Sequence, residues 1–417
     1  MQSGEPDVTD TTSLPAAPAA DDVTRAEADP PANTPGGTDL EFRPDVEGLR
    51  AVAVTLVVLY HAGVSWMTGG FIGVDVFFVI SGFLITGLLL REHEKRQKIS
   101  IPGFYARRAR RILPAGMVVI IATVLGAYHY QNFISYALTA QDGRWAALFA
   151  ANIHFANVGT DYFTQNNLQS SPLLHYWSLA VEEQFYFVWP TIVLLVGLAA
   201  RRVPLRRIVF VVAAIGTVAS FLWALHVEGA NNTWAFFSPF TRAWELGIGA
   251  VAATVVAYAR RMNKWVGVAV AWAGVAAIIA SLVVYQDPNT YSATHLLLAV
   301  LGSVAVLIGG ASGIGAGHAL AVVPVRAVGR VSYGWYLLHY PPMILLAGAL
   351  WTGPLPVHER LVIAGVTLAV AFAMYYALEK PIRRSRALAR RPWASIAMGL
   401  GFVAAAFLVS ALLHKGI

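Results

Sequence analysis

Apolar residues recur along this chain in blocks rather than stripes. Polar positions separate runs of Leu, Val, Ala, Ile, Phe and Gly, each about 20 residues long, the length a helix needs to cross a hydrocarbon layer about 30 Å thick. Eleven such runs lie near 48–66, 70–90, 112–130, 178–199, 207–226, 241–259, 265–285, 294–310, 331–349, 358–378 and 393–413. The pattern predicts an all-α, polytopic integral membrane protein. Composition agrees: 57% of the 417 residues are hydrophobic and 13% charged, about half the charged share of a soluble domain.

Charge adds direction. With the N-terminus inside, the inner loops 91–111, 200–207, 259–264, 311–330 and 379–392 hold 23 Lys and Arg, against four (Arg144, Arg242, Arg360, Lys415) on the outer side and at the C-terminal tip. Lys and Arg gather in cytoplasmic loops, so the chain is expected to run N-in, C-out. The net charge of +7 therefore reflects topology and contact with membrane lipids; nucleic acid is not an expected partner. Residues 1–40 differ. They carry eight acids against Arg25 alone, with six prolines, and read as a disordered acidic cytoplasmic tail with no signal peptide. The absence of cysteine excludes disulfides, thiolate nucleophiles and Cys-based metal sites. The long outer stretch at about 131–177 suggests a structured lid or a partly re-entrant segment.

Two residues of the first run are out of place in lipid. Arg50 and His61 in "LRAVAVTLVVLYHAG" are eleven positions apart, three helical turns plus about 20°, so they share one stripe roughly 16 Å apart along the axis. Arg50 falls at the inner surface and His61 in the outer half. Asp75, on the returning second helix, is expected at the depth of His61. A carboxylate there fixes the imidazole as a general base; the alternative is a His–Asp staple between helices. Ser81 lies off the Asp75 face, where bonding back to its own helix is the favoured role over nucleophile, and Gly82 reads as a packing glycine.

Arg107, Arg108, Arg110 and Arg111 precede the third run in "GFYARRARRILPAG". They either set topology and hold lipid phosphate or, with Arg50, bind a phosphate-rich cytosolic ligand through their planar forks. In "LLHYWSLAVEEQFYFVWP", His175, Trp177, Glu182, Glu183 and Tyr186 crowd the start of the fourth run. At most one of the two glutamates shares a face with Tyr186; a carboxylate there would orient a hydroxyl substrate or pair with Arg242. Arg242 and Glu245, spaced i, i+3, are expected to pair structurally. Tyr336 and His339, also i, i+3, are core residues or ligand contacts.

These segments, with "FRPDVEGLRAVAVTLVVLYHAG", "GGFIGVDVFFVISGFLI", "SYGWYLLHYP" and "LEKPIRRSR", resemble the bacterial acyltransferase-3 family over about residues 42–386. The resemblance implies a ten-helix membrane domain (residues 41–386) of the bacterial cytoplasmic membrane. That domain takes an acyl group from cytosolic acyl-CoA, without a metal, and passes it to a hydroxyl of an extracytoplasmic glycan or glycolipid. Arg50 and His61 fall on the family's Arg-x10-His motif, and its arginines before the third helix fall within Arg107–Arg111. Residues 387–417, the eleventh helix, resemble the linker of members with a C-terminal SGNH domain, which is not in this sequence. The expected scheme places CoA phosphates on Arg107, Arg108 and Arg111, with Arg50 near the pantetheine entry. His61, oriented by Asp75 or a glutamate of the fourth helix, is the base. His175, Trp177, Tyr186, Arg242, Glu245, Tyr336 and His339 are candidate substrate contacts, and Ser81 a donor contact. Direct transfer and an acyl-His61 intermediate both use this base. The alternatives from other classes are a proton-coupled transporter of a lipid or glycan, relaying through His61 and Asp75, and a membrane scaffold.

Overall fold

The computed structural model describes residues 43–160, 170–199, 202–228, 233–284, 292–350 and 355–415. The acidic tail and the centre of the long outer stretch lie outside the described residues. Among those described, the chain is helical and contains no strand. The elements are α1 (Pro44–His61), α2 (Gly73–Arg96), α3 (Ile101–Tyr130), α4 (Phe133–Ala147), α5 (Ala151–Asn157) and α6 (Tyr176–Ala199). Then come α7 (Leu205–Glu228), α8 (Thr233–Phe237), α9 (Pro239–Ala259), α10 (Lys264–Val284), α11 (Ala293–Gly309) and α12 (Ala316–Leu320). The last are α13 (Val323–Leu338), α14 (Tyr340–Leu350), α15 (Val357–Met374), α16 (Lys380–Arg384), α17 (Arg386–Arg390) and α18 (Pro392–Lys415).

Nine helical stretches among the described residues are long and apolar enough to cross a membrane. The other two of the eleven apolar runs are α1 and the α13–α14 pair. α1 has 18 residues and carries Asp45, Glu47 and Arg50. The second run breaks at His339. The break has a local cause. Pro341 and Pro342 lack the N–H groups that would serve the carbonyls of Leu337 and Leu338 four residues earlier. α13 therefore stops and α14 restarts after a single residue. These two atypical runs pack against each other and together carry the candidate site.

α2, buried along most of its length, packs between α1 and α9. Its contact with α9 needs small residues, as expected of Gly82. A Cβ on Gly82 would overlap the Leu246 carbonyl, and one on Gly249 would overlap that of Val79. The expected lid has regular structure in its described part: α4 and α5 are joined by a bond between His154 Nε2 and Asp142 at 2.9 Å, with Trp145 stacked on His154 at 5.4 Å. The eleventh run packs on α3 and α4, bonded through Arg110 to Ser395 (3.3 Å) and His414 to the Ala137 carbonyl (3.3 Å).

Candidate functional site

α1 is held to α13 near both ends. Nε and Nη2 of Arg50 donate to Ser332 Oγ at 3.1 and 3.0 Å. About three turns on, His61 Nδ1 lies 2.8 Å from His339 Nε2, the two rings meeting edge to edge with their planes 23° apart and their centroids 5.0 Å apart. The contacts occur in the same order along both helices, so α1 and α13 run parallel. His339 sits at the proline break, and His175 repairs part of what the prolines remove. Its Nε2 is 3.1 Å from the Leu337 carbonyl, which can only accept, so His175 donates. Tyr340 closes the group, its ring 4.7 Å from His61 and 5.4 Å from His175. His61 is 7% exposed and His339 fully buried.

A cavity of about 280 Å³ begins at the arginine end. Arg50, Arg91, Arg108 and Arg111 line it with Glu182, Glu183, Ser81, Ser332 and Tyr186, and apolar side chains of α2 complete the wall. It shares Arg50, Leu84, Arg91 and Arg111 with a second cavity of about 280 Å³ that adds Arg43, Glu47, Arg330 and Arg383. Together the two present seven arginines against three glutamates, a cationic chamber suited to a polyanion. Glu183 accepts from Arg108 at 2.6 Å, and that guanidinium lies 3.7 Å over the Tyr186 ring. Glu182 accepts from Ser81 (2.6 Å) and Tyr186 (2.5 Å). Tyr336 lines the far wall, its hydroxyl 2.6 Å from Ser178 Oγ and donating to the His175 carbonyl at 3.0 Å. Its ring centroid is 5.7 Å from that of His339. His61 is not among the lining residues, and the Tyr336 ring touches both the cavity and the histidine group.

Several expected partnerships are corrected. Asp75 does not orient His61 through an ion pair: its carboxylate meets Arg242 at 2.9 Å. A permanently charged guanidinium outcompetes a titratable imidazole for a buried carboxylate. Arg242 also pairs with Glu245 at 3.1 Å, as the i, i+3 spacing predicts, and lies 5.4–5.7 Å from the rings of Phe78, Trp177 and Phe236. Trp177 is thus a wall of this cluster. Glu182 and Glu183 face the arginine cavity, bonded as above. Ser81 bonds across to α6 instead of back to its own helix. Of the four arginines of α3, only Arg108 and Arg111 line the cavities; Arg107 pairs with Glu92 at 2.7 Å and Arg110 turns to Ser395.

Sequence reading assigned no role to Ser332, Arg91, Arg330 or Arg383. Arg383 stands in the "KPIRRSR" segment, and Ser332 lies seven residues, about two turns, before His339 on one face; both signals were present. Among the described residues, no group of three or more His, Asp or Glu side chains converges as a metal site.

A family model described as an acyltransferase domain, acyltransferase-3, matches residues 43–376. The chain is 32% identical over 357 residues to the peptidoglycan O-acetyltransferase OatA of Listeria monocytogenes, covering 83% of this chain and 56% of that protein. It is 29% identical to the O-acetyltransferase OatA of Staphylococcus aureus, covering 82% and 57%. It is 31% identical to a putative peptidoglycan O-acetyltransferase, YrhL, of Bacillus subtilis, covering 89% and 61%. The chain therefore spans little more than half the length of these relatives. No solved structure matches it.

Proposed function

This chain belongs to the acyltransferase-3 family, and from that premise we propose that it moves an acetyl or similar acyl group from cytosolic acyl-CoA to a hydroxyl of a cell-envelope glycan. The relatives act, by their names, as O-acetyltransferases, two of them on peptidoglycan. The observation that carries the reading is the pairing of a cationic chamber with a buried histidine group along one pair of parallel helices. The chamber faces the cytosol, as the loop charges argue, and the histidines lie towards the outer side, with the N-terminus in and the C-terminus out. The chain has no cysteine, so single cysteines test this directly. Lys98→Cys is expected to label only from the cytosolic side and Trp66→Cys, at a position 72% exposed, only from outside.

The phosphates of the donor sit among Arg50, Arg91, Arg111, Arg330 and Arg383. The pantetheine arm follows the apolar wall of α2 towards Tyr336. About 16 Å of helix separates Arg50 from His61, a span comparable to an extended pantetheine arm. Displacement of the Tyr336 ring joins the cavity to the histidine group. His61 takes the proton of the acceptor hydroxyl, and the oxygen attacks the thioester carbonyl. The C–S bond breaks and the thiolate leaves with the proton returned by the imidazolium, so ester and free thiol are the products. Attack by His61 itself is the covalent variant.

The decisive experiment follows radiolabelled acetyl-CoA into soluble peptidoglycan fragments with the protein in proteoliposomes. His61→Ala is expected to lower transfer by at least about 10³-fold while acetyl-CoA binding persists. Unchanged transfer by His61→Ala defeats the proposal.

A further inference from the structure

We infer that His339 is the positioning residue that fixes the tautomer of His61 and so aims its basic nitrogen. The inference rests on the reading of His61 as base, but its geometry stands independently. His339 Nδ1 lies 3.2 Å from the Trp335 carbonyl, one turn back on α13. A carbonyl oxygen only accepts, so Nδ1 of His339 carries the hydrogen. In a neutral ring the lone pair is then on Nε2, which lies 2.8 Å from His61 Nδ1. Two lone pairs cannot face each other at that distance, so His61 Nδ1 bears a hydrogen and donates. The lone pair of His61 is therefore on Nε2. That nitrogen is the one that receives a proton.

Two other arrangements fail. With the hydrogen of His339 on Nε2, its Nδ1 lone pair would point at the Trp335 carbonyl, leaving two acceptors opposed. A doubly protonated His339 would place a full charge at a fully buried site, which is costly without a partner anion. The backbone break contributes as well. α13 ends at Leu338 because Pro341 and Pro342 cannot donate, and His339 sits at the junction. His175, donating to the Leu337 carbonyl, holds that junction closed. The pair remains useful through the reaction, because His61 keeps its Nδ1–H bond to His339 when it becomes an imidazolium. The familiar helper of a catalytic histidine is a carboxylate. Here a neutral imidazole, itself fixed by a backbone carbonyl, takes that place, and Asp75 is committed to Arg242.

The first test needs no variant. In protein with ¹⁵N-labelled histidine, long-range ¹H–¹⁵N spectra should show His61, identified by its loss in His61→Ala, with a protonated Nδ1 and an unprotonated Nε2. His339→Leu keeps the volume but removes the acceptor. It should shift His61 towards the Nε2–H tautomer and lower kcat by about 10²–10³-fold, leaving KM for acetyl-CoA within about twofold. His339→Gln, whose amide oxygen can accept from His61, should recover kcat to within about tenfold of the parent. The double variant His61→Ala/His339→Leu should be no slower than His61→Ala, since the two act as a unit. An Nε2–H tautomer in the parent protein, or His339→Leu with unaltered kcat, overturns the inference. If His61→Ala still transfers acetyl at the parent rate while the tautomer is as stated, the base assignment falls and the hydrogen-bond assignment survives.

Discussion

Two clusters of buried charge flank α2, and they are built to opposite ends. On one side Asp75, Arg242 and Glu245 form a closed group in which two carboxylates share one guanidinium, each side chain at most 2% exposed. Aromatic rings of Phe78, Trp177 and Phe236 surround it, and Arg242 lines neither of the two cavities described above. On the other side Arg50, Arg108 and Arg111 face a void, and cations outnumber anions around it. An ionisable residue at membrane depth is usually functional, but these clusters divide that rule. A group whose charges are spent on each other holds helices together. A group whose charges line an empty volume is available to a ligand.

The sharpest break of this contrast is Arg242→Met. It strands two carboxylates in a dry site, and removal of one partner of a buried ion pair costs about 3–5 kcal/mol. The expected result is loss of folded protein, read as a drop in the thermal unfolding midpoint in detergent. Arg50→Met and Arg111→Met are expected to fold and to raise KM for acetyl-CoA about tenfold each, with kcat little changed, because each removes one charge-assisted contact to phosphate. Raising ionic strength should weaken donor binding in the parent and do so less in these variants. A stable Arg242→Met beside an unfolded Arg50→Met would reverse the two roles.

Much of this was legible in the sequence, and the limit is instructive. Local periodicity carried the stripe from Arg50 to His61 and the Arg242–Glu245 pair, since both depend on one helix. It does not sort the four arginines of α3: Arg107 and Arg111, four apart, lie only about 40° from each other around the helix, with Arg108 and Arg110 to either side. Which of them meets the cavities is decided by what packs against α3. What periodicity does not carry is the choice between partners on different helices. Asp75 lies within reach of more than one cation by depth alone, and only the packing of α9 on α2 decides for Arg242. The pairing of His61 with His339 bridges 278 residues and depends on a break that the two prolines cause. Each half of that pair is visible in the sequence, but their contact is a tertiary fact.

The smallest effect belongs to Arg107. It has the same chemistry as Arg111, four residues further along the same helix, and the sequence treats them alike. Its side chain is 31% exposed and paired with Glu92, a contact of the kind that contributes about 0–1 kcal/mol, and it lines neither cavity. Arg107→Ala should therefore leave KM for acetyl-CoA within about twofold of the parent and the unfolding midpoint nearly unmoved. The informative measurement is the comparison with Arg111→Met in the same transfer assay. Equal losses in the two would mean that the donor phosphates reach beyond the cavities to the outer face of α3. A loss in Arg107→Ala alone would move the donor site off the chamber altogether, and with it the distinction between spent and available charge.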